Sequence, residues 1–456
     1  MLQAALFSEV QGLTPVGKYF LVRFIQCFGI SDPVDLGVKD LAKRFGLTDR
    51  QVSSALADLL ARNVMVCCSN PIGRGRPKTR YELTDDFRRD IRTRSAQSAA
   101  QHEAAVVRLL KHEDSKRRDA GEIVQKHRVD TAPLAELRSK RQPGQLTIVN
   151  RLLLSVLLCR ADRFGVVSDL GTAELCALTG LDEDALKNRV RRLIAQGLIR
   201  TYVPGATSSV FFAKVKNVYF LNLNHEELSE GAVVVSVLVC PKVLIDKEGH
   251  SYRLFKQVKQ PETYDGNDPE YVQILSFLKG QGSAFFLLLQ YMLDTCAAYW
   301  LSTFWAELVA QPNPSQEALL KGQYATLKEL VSKNLHPVSL LAASGKGLND
   351  ILLERVFWSA HFLAVAIKAQ LVDASYIPFE SMDFVIIPRP QEYCYTSIAL
   401  LALPKSSNGW RGALIAEKIP YLTAELQHLP GESVIPLEYR YSFGLLTRPS
   451  GKASTS

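Results

Sequence analysis

Six consecutive residues, Gly73-Arg74-Gly75-Arg76-Pro77-Lys78, combine a backbone and side chains suited to a nucleic acid. Glycine lets a backbone approach a groove floor, and arginine enters the narrow, electronegative minor groove of A·T-rich DNA. Proline keeps such a segment extended. The segment therefore predicts contact with double-stranded DNA; the alternative interpretation is a flexible basic loop with no fixed partner.

The element that must position this segment is one copy of a repeat. FGLTDRQVSSALADLLARNVM, from Phe45, aligns with TGLDEDALKNRVRRLIAQGLI, from Thr179, at a constant offset of 134 residues. Each copy predicts a short helix, a Gly-Leu turn, a capping Thr48 or Asp182, and a longer helix whose apolar residues recur every three or four positions. The short helices are predicted at Val38 to Phe45 and Thr172 to Thr179. This pattern predicts two helix-turn-helix motifs.

β-prone runs follow each motif and predict a two-stranded hairpin, or wing, after it. The first hairpin is expected at Val64 to Cys68 with Arg80 to Leu83, and the second at Leu198 to Val203 with Val210 to Val215. Additional helices are predicted before the motifs, at Val16 to Phe28 and Leu146 to Arg160. Two winged helix-turn-helix domains are therefore expected.

The first wing resembles that of PadR-, MarR- and BlaI-like winged-helix regulators, in which a GRGRP-like turn leads into a strand ending in Leu-Thr, as Leu83-Thr84 do here. The resemblance covers about residues 15 to 90. The Arg-Gly-Arg-Pro core also resembles the AT-hook. The family resemblance implies a bacterial-type transcriptional regulator that binds operator DNA, and we expect it to act as a homodimer.

The candidate DNA contacts lie on both predicted recognition helices and on the first wing. Gln51 and Asn188 suit adenine, whereas Arg191 suits guanine or phosphate. Because Asp182, Glu183 and Asp184 would repel phosphate, DNA contact and protein contact are equally expected for the second motif. The full set is Lys43, Thr48, Arg50, Gln51, Ser53, Ser54, Arg74, Arg76, Lys78, Arg80, Lys187, Asn188, Arg191 and Arg192.

The net charge of +8 is concentrated in the first half of the chain. Residues 1–230 hold 35 Lys and Arg against 26 Asp and Glu, which leaves 19 against 20 afterwards. This distribution fits a chain that meets a polyanion with one end. The eight cysteines are scattered and the N-terminus has no secretory pattern, so we expect a cytoplasmic, nucleoid-associated protein.

The C-terminal half predicts long apolar helices followed by strands. Ala232 to Cys240 reads as a buried strand or short helix, and Tyr271 to Leu278, Ala284 to Ala310, Gln316 to Asn334 and Asn349 to Val372 as helices. Strands are expected at Phe384 to Ile387, Tyr393 to Leu403 and Ala413 to Ala416. Ala284 to Ala310 is long enough to span a membrane, but its carboxylates favour a buried core or dimer helix, so no membrane partner is expected.

The predicted fold class is mainly α with small β. The predicted domains are a winged helix at 1–90, a basic, partly helical linker at 91–145, a second winged helix at 146–228, an α+β module at 231–447 and a disordered tail at 448–456. The module would dimerise, sense or recruit, with a small ligand or a protein as its partner. Its aromatic clusters, around Tyr291 to Trp305 and Phe357 to Phe362, read as core packing more readily than as a ligand pocket.

No known enzyme motif occurs, and no metal or cofactor is expected. Two other functions stay open. One is a plasmid-type replication initiator with tandem winged helices, although such units usually abut and a linker separates these two. The other is a scaffold whose winged helices contact protein.

Overall fold

In the computed structural model the chain is mainly α with small sheets, as expected. The structure describes residues 1–70, 78–95, 101–111, 146–206, 215–241, 250–260, 268–309, 322–329, 347–389, 397–406, 409–416 and 428–449, with single residues 243, 266, 318 and 395 between them. Two compact units are present: residues 1–161 with 171–192, and residues 162–170 with 193–456. The division falls inside the region predicted as the second winged helix.

Local signals set the helix bounds of the first unit. Thr14 accepts a hydrogen bond from the Gly17 amide, 3.1 Å away, and caps the next helix, which begins at Pro15. The predicted bounds of the two short helices are confirmed. The helices are α1 Leu2–Leu6, α2 Pro15–Phe28, α3 Val38–Phe45, α4 Asp49–Ala61, α5 Asp85–Ser95, α6 Glu103–Leu110, α7 Ile148–Leu158, α8 Thr172–Thr179 and α9 Glu183–Ala195, of which the last ends in the second unit.

One hairpin, β1 Met65–Asn70 and β2 Lys78–Leu83, follows α4 and is antiparallel. Val34, between α2 and α3, forms a further antiparallel bridge to Tyr81. The predicted basic linker is helical in α5 and α6, as far as it is described. The aromatic core beneath α3 is formed by Phe20, Phe24 and Phe45, with the rings of Phe20 and Phe45 5.2 Å apart.

The second unit contains two sheets. The three-stranded sheet has the order β3-β5-β4 and is antiparallel, with β3 Val166–Val167, β4 Ile199–Val203 and β5 Val218–Leu221. The prediction of the second hairpin strand at Val210 to Val215 was wrong in position, since β4 pairs with Val218–Leu221. Those four residues are all buried, so they form a core strand, whereas residues 207–214 lie outside the described residues.

The four-stranded sheet has the order β7-β8-β6-β9, and long helices pack against it. Within the Ala232 to Cys240 run the strand begins at Ser236, and a helix at residues 250–259 was not predicted. The further elements are α10 Glu226–Ser229, β6 Ser236–Pro241, α11 His250–Lys259, α12 Pro269–Leu278, α13 Ser283–Thr303, α14 Leu348–Leu371, β7 Met382–Ile386, β8 Ser397–Pro404, β9 Ala413–Ile415 and α15 Leu437–Ser442. Residues 322–329 are also helical, within the predicted Gln316 to Asn334 helix.

Helix α13 is the one described helix that is long and apolar enough to cross a membrane, but 67% of its most apolar window is buried inside the protein. Its Asp294 is buried and accepts a hydrogen bond of 2.8 Å from Gln290. Burial raises the pKa of Asp294 to about 7. Trp300 and Phe357 pack edge to face with ring centroids 5.4 Å apart, which confirms core packing for part of the aromatic clusters.

Candidate nucleic-acid interface

The outer face of α4 carries short polar groups beside one cation. Arg50, Ser53 and Ser54 are exposed, and Ala57 continues the same face one turn further on. These positions are exposed because the opposite side of the helix faces the core. The residues buried on that side are Val52, Ala55, Leu56 and Leu59. Of the predicted α4 contacts, Arg50, Ser53 and Ser54 are therefore accessible to a partner.

Thr48 and Gln51 have a structural task instead. The Thr48 side chain accepts a hydrogen bond from the Gln51 amide, 3.2 Å away, and the Gln51 carboxamide oxygen accepts one from the Thr48 amide at 2.9 Å. This reciprocal capping box satisfies two amides at the start of α4. The expected adenine contact of Gln51 would require breaking that hydrogen bond, so its capping role takes precedence in this structure.

The corresponding face of α9 is more strongly charged. The offset of 134 residues matches four positions of α9 to four positions of α4. Asp184 corresponds to Arg50, Lys187 to Ser53, Asn188 to Ser54 and Arg191 to Ala57. The four α9 residues are all exposed. The Lys187 ammonium lies 3.6 Å from the Asp184 carboxylate, and the Arg191 guanidinium donates to the Asn188 side-chain oxygen at 3.2 Å. These exposed pairs contribute little to stability, so a polyanion can displace them.

The acidic start of α9 includes the predicted cap. The Asp182 carboxylate accepts a hydrogen bond of 2.7 Å from the Ala185 amide, which matches the position of Thr48 in the first copy. A carboxylate at this end also complements the partial positive charge of the helix N-terminus. The capping interpretation of Asp182 is confirmed, and Arg192 is exposed on the same helix.

The remaining predicted contacts lie on α3 and on the hairpin. Lys43 is exposed in the last turn of α3. Arg80 on β2 is about half exposed, and its guanidinium lies 3.5 Å from the Asp35 carboxylate. Lys78 begins β2, and its side chain is outside the described set. Arg74 and Arg76 lie outside the described residues.

The first and second helical pairs belong to one unit because the helices that precede them pack together. Helix α2 packs against α7, and α6 also lies on α7. The Arg151 guanidinium on α7 donates to the Leu109 carbonyl at 2.9 Å, and the Gln26 amide on α2 donates to the Val107 carbonyl at 3.2 Å. The helices that precede the two pairs therefore pack together, which the long intervening sequence did not suggest.

Residues 11–15, which we name the bridging segment, connect the far end of α4 to the turn before α9. Arg62, just after α4, donates to the Gln11 carbonyl at 2.8 Å and to the Gly12 carbonyl at 2.5 Å. On the other side, a Cβ added at Gly180 would lie 2.2 Å from the Leu13 carbonyl oxygen. The segment thus limits how far α4 and α9 can move apart.

Sequence reasoning missed two residues that position these helices. Arg62 was overlooked because its acceptors are backbone carbonyls 50 and 51 residues away. Arg189, half-buried on α9, donates to the Thr147 hydroxyl at 3.3 Å and so ties α9 to the start of α7. The only local indication of this role is that Arg189 stands between Asn188, which is exposed, and Val190, which is buried.

Replacing Gly180 by alanine tests the close approach to the bridging segment. Gly180 has φ +71°, and an alanine there costs about 1–2 kcal/mol for the left-handed backbone. We expect a further loss of about 1–3 kcal/mol from overpacking against Leu13. Gly197→Ala is the control, since Gly197 has φ +73° and a Cβ there would come no closer than 3.7 Å to a neighbouring side chain. Equal losses in chemical denaturation would contradict the close approach.

No family model matches the chain, and neither the curated proteins nor the solved structures include a significant match.

Proposed function

We propose that this protein binds double-stranded DNA as a transcriptional regulator, and that a single chain reads DNA through two winged helix-turn-helix domains. The carrying observation is the repeated order of elements. In each copy a helix is followed by an extended residue or strand, two helices joined by a glycine turn, and a hairpin. The early strand joins the second hairpin strand in both copies, at Val34 with Tyr81 and at β3 with β5.

The exposed charge on both copies supports a polyanionic partner. The first copy exposes Arg50 on the outer side of α4, which we define as the first reading face, together with Lys43 on α3 and Arg80 on β2. Lys187, Arg191 and Arg192 lie on the second reading face, the outer side of α9. The glycine turn before each of these helices is the geometry that lets the next helix enter a major groove. Phosphate contacts by such cations orient a protein on the duplex, and the polar side chains then read the bases.

The packing of α2 against α7 supports one chain as the binding entity. A dimeric regulator brings two reading helices to DNA by pairing two chains, with half-sites about one helical turn apart. Here both candidate helices come from one unit, and the bridging segment contacts the end of α4 and the turn before α9. The expected homodimer is therefore not needed to present two reading faces.

The same packing favours a second candidate function, a replication initiator. The length of the linker counted against it, because tandem winged helices in initiators usually abut. In this chain α2 and α7 do pack together despite that linker. Mapping of binding sites distinguishes the two functions: clustered direct repeats at an origin indicate initiation, and a promoter-overlapping site indicates regulation.

A salt titration of DNA binding tests the proposal. Six exposed cations in the two copies, each neutralising one phosphate, predict a slope of log affinity against log salt of about −5. The intact chain would first be used to select binding sites from random duplexes, and affinity would then be measured by mobility shift from low to physiological salt. Absence of binding to any duplex at low salt would overturn the proposal.

A further inference from the structure

A cavity of about 640 Å³ lies within the second unit, among α11, α12, α13 and α14. Its size is in the range of sites for small organic ligands. Its floor is apolar, while its rim carries charged and aromatic groups. The floor includes Ile274, Leu289 and Leu293, and the rim includes Arg253, Glu270, Glu354, Arg355, Trp358 and Phe362. Phe362 is 60% exposed.

Arg355 is the rim residue with unused hydrogen-bonding capacity. Its guanidinium forms an ion pair with Asp268 and lies over the Tyr271 ring, 4.6 Å from the centroid. Its Nε is buried and has no hydrogen-bond partner among the residues that the structure describes. A guanidinium has five N–H donors, so one that already pairs with Asp268 can still donate to a second carboxylate.

The charge balance of the rim narrows the ligand class. Arg253 and Arg355 are offset by Glu270 and Glu354, so a multiply charged anion such as a nucleotide would meet two carboxylates. A ligand with one negative charge on an apolar body suits both the rim and the floor of the cavity. The chemistry therefore favours an aromatic or aliphatic monocarboxylate.

Helix α13 separates this cavity from the three-stranded sheet. Leu289 and Leu293 line the cavity, whereas Tyr291 lies about 200° round the helix from Leu289. On that side the Tyr291 ring packs edge to face on Phe220 of β5, with centroids 6.2 Å apart. Val203 of β4 and Val218 of β5 belong to the same core as α13. One helix thus contacts both the cavity and the sheet.

The sheet is directly continuous with the second reading helix. Strand β4 begins four residues after α9 ends, and the Leu198 amide donates to the Leu193 carbonyl of α9 at 3.0 Å. Close-packed interiors transmit small displacements, because side chains cannot be compressed. A shift of α13 would therefore reach β4 and the end of α9.

We propose that the cavity binds a small apolar monocarboxylate and that its occupancy is transmitted through α13 to β4, β5 and α9. The cavity is then an effector site. Any effect of the ligand on DNA affinity rests on the proposed function. Binding of the ligand and the response of the sheet do not depend on that function.

The first experiment uses 8-anilinonaphthalene-1-sulfonate, a fluorescent aromatic monoanion, as the probe on the full chain. We expect saturable binding, at least about fivefold weaker in Arg355→Gln, and displacement by octanoate or phenylacetate. Arg448→Gln, at an exposed ion pair outside the cavity, is the control and should bind as the unaltered protein does. Asp268→Asn distinguishes a ligand contact from a folding defect. It breaks the ion pair but keeps the Arg355 guanidinium, so this variant should still bind the probe. Equal loss in Arg355→Gln and Asp268→Asn, or no binding at all, would overturn the site.

The second experiment measures hydrogen exchange with and without saturating probe. Exchange of the β4 and β5 amides should change in the unaltered protein, and at one subsaturating probe concentration the change should be smaller in Arg355→Gln, in proportion to its lower occupancy. No change in these strands on saturation would overturn the transmission. A protein that passes both experiments but binds no DNA would leave the effector site standing and refute the proposed function alone.

Discussion

Replacing Glu432 by alanine is expected to lower the free energy of unfolding of the second unit by about 3–5 kcal/mol, because it leaves a buried guanidinium unpaired. Arg200 on β4 and Glu432 are 1% and 2% exposed in their side chains. The guanidinium donates to both carboxylate oxygens, at 2.7 and 2.5 Å, and to the Leu445 carbonyl at 3.0 Å. The pair joins the strand that follows α9 to the C-terminal segment.

The pH dependence of that loss has a definite sign. Burial alone would raise the pKa of Glu432, yet the charge of Arg200 and its hydrogen bonds hold the pKa below its ordinary value. A carboxyl with a lowered pKa in the folded state stabilises above its unfolded value and loses that contribution as pH falls through the folded value. The difference between the unaltered protein and Glu432→Ala should therefore narrow at acid pH.

Glu438→Ala is the matched control for Glu432→Ala. Glu438 also pairs with an arginine, Arg448, but both side chains are well exposed, so about 0–1 kcal/mol is expected. Chemical denaturation at neutral pH measures both variants. If the loss in Glu432→Ala were no larger than in the control, the buried pair would not hold β4 as described.

Charge reversal on the two reading faces should have the largest effect on DNA affinity. Arg50→Glu and Arg191→Glu are each expected to weaken binding by about 1–3 kcal/mol, or about 5- to 150-fold. Both side chains are exposed and neither supports the core, so folding should be unaffected. Because the two residues lie on separate helices, the losses should nearly add in the double variant.

Arg89→Glu is the control for charge alone. Arg89 is exposed on α5, paired with Asp86, and on neither reading face. It changes the net charge of the chain as much as each reading-face variant does. Mobility shifts on a selected site should give at most a small loss for Arg89→Glu, and equal losses in all three single variants would refute the assignment of the faces.

Local features of both motifs were predictable, because they depend on residues close in the chain. The caps at Thr48 and Asp182 and the bounds of α3 and α8 follow from neighbours within one or two turns. The pairing partner of β4 was misplaced because two β-prone runs follow that strand closely in the sequence. The run that pairs is Val218–Leu221, which packs into the core of the second unit.

Contacts between distant residues were not predictable. Arg200 and Glu432 are 232 residues apart, and neither stands in a motif. The packing of α2 on α7 crosses a segment that reads as a linker, so the sequence favoured separate units. The capping role of Gln51 also escaped prediction, since a glutamine at the third helical position suits both a capping box and the predicted base contact.

The central claim is that one chain reads DNA through both α4 and α9. The most direct test takes a selected duplex, varies the spacing between its two half-sites, and measures affinity together with the number of chains bound. We expect one chain per site, and a steep loss of affinity when about half a helical turn, about 5 bp, is inserted between the half-sites. Two chains per site, with affinity indifferent to the insertion, would contradict it.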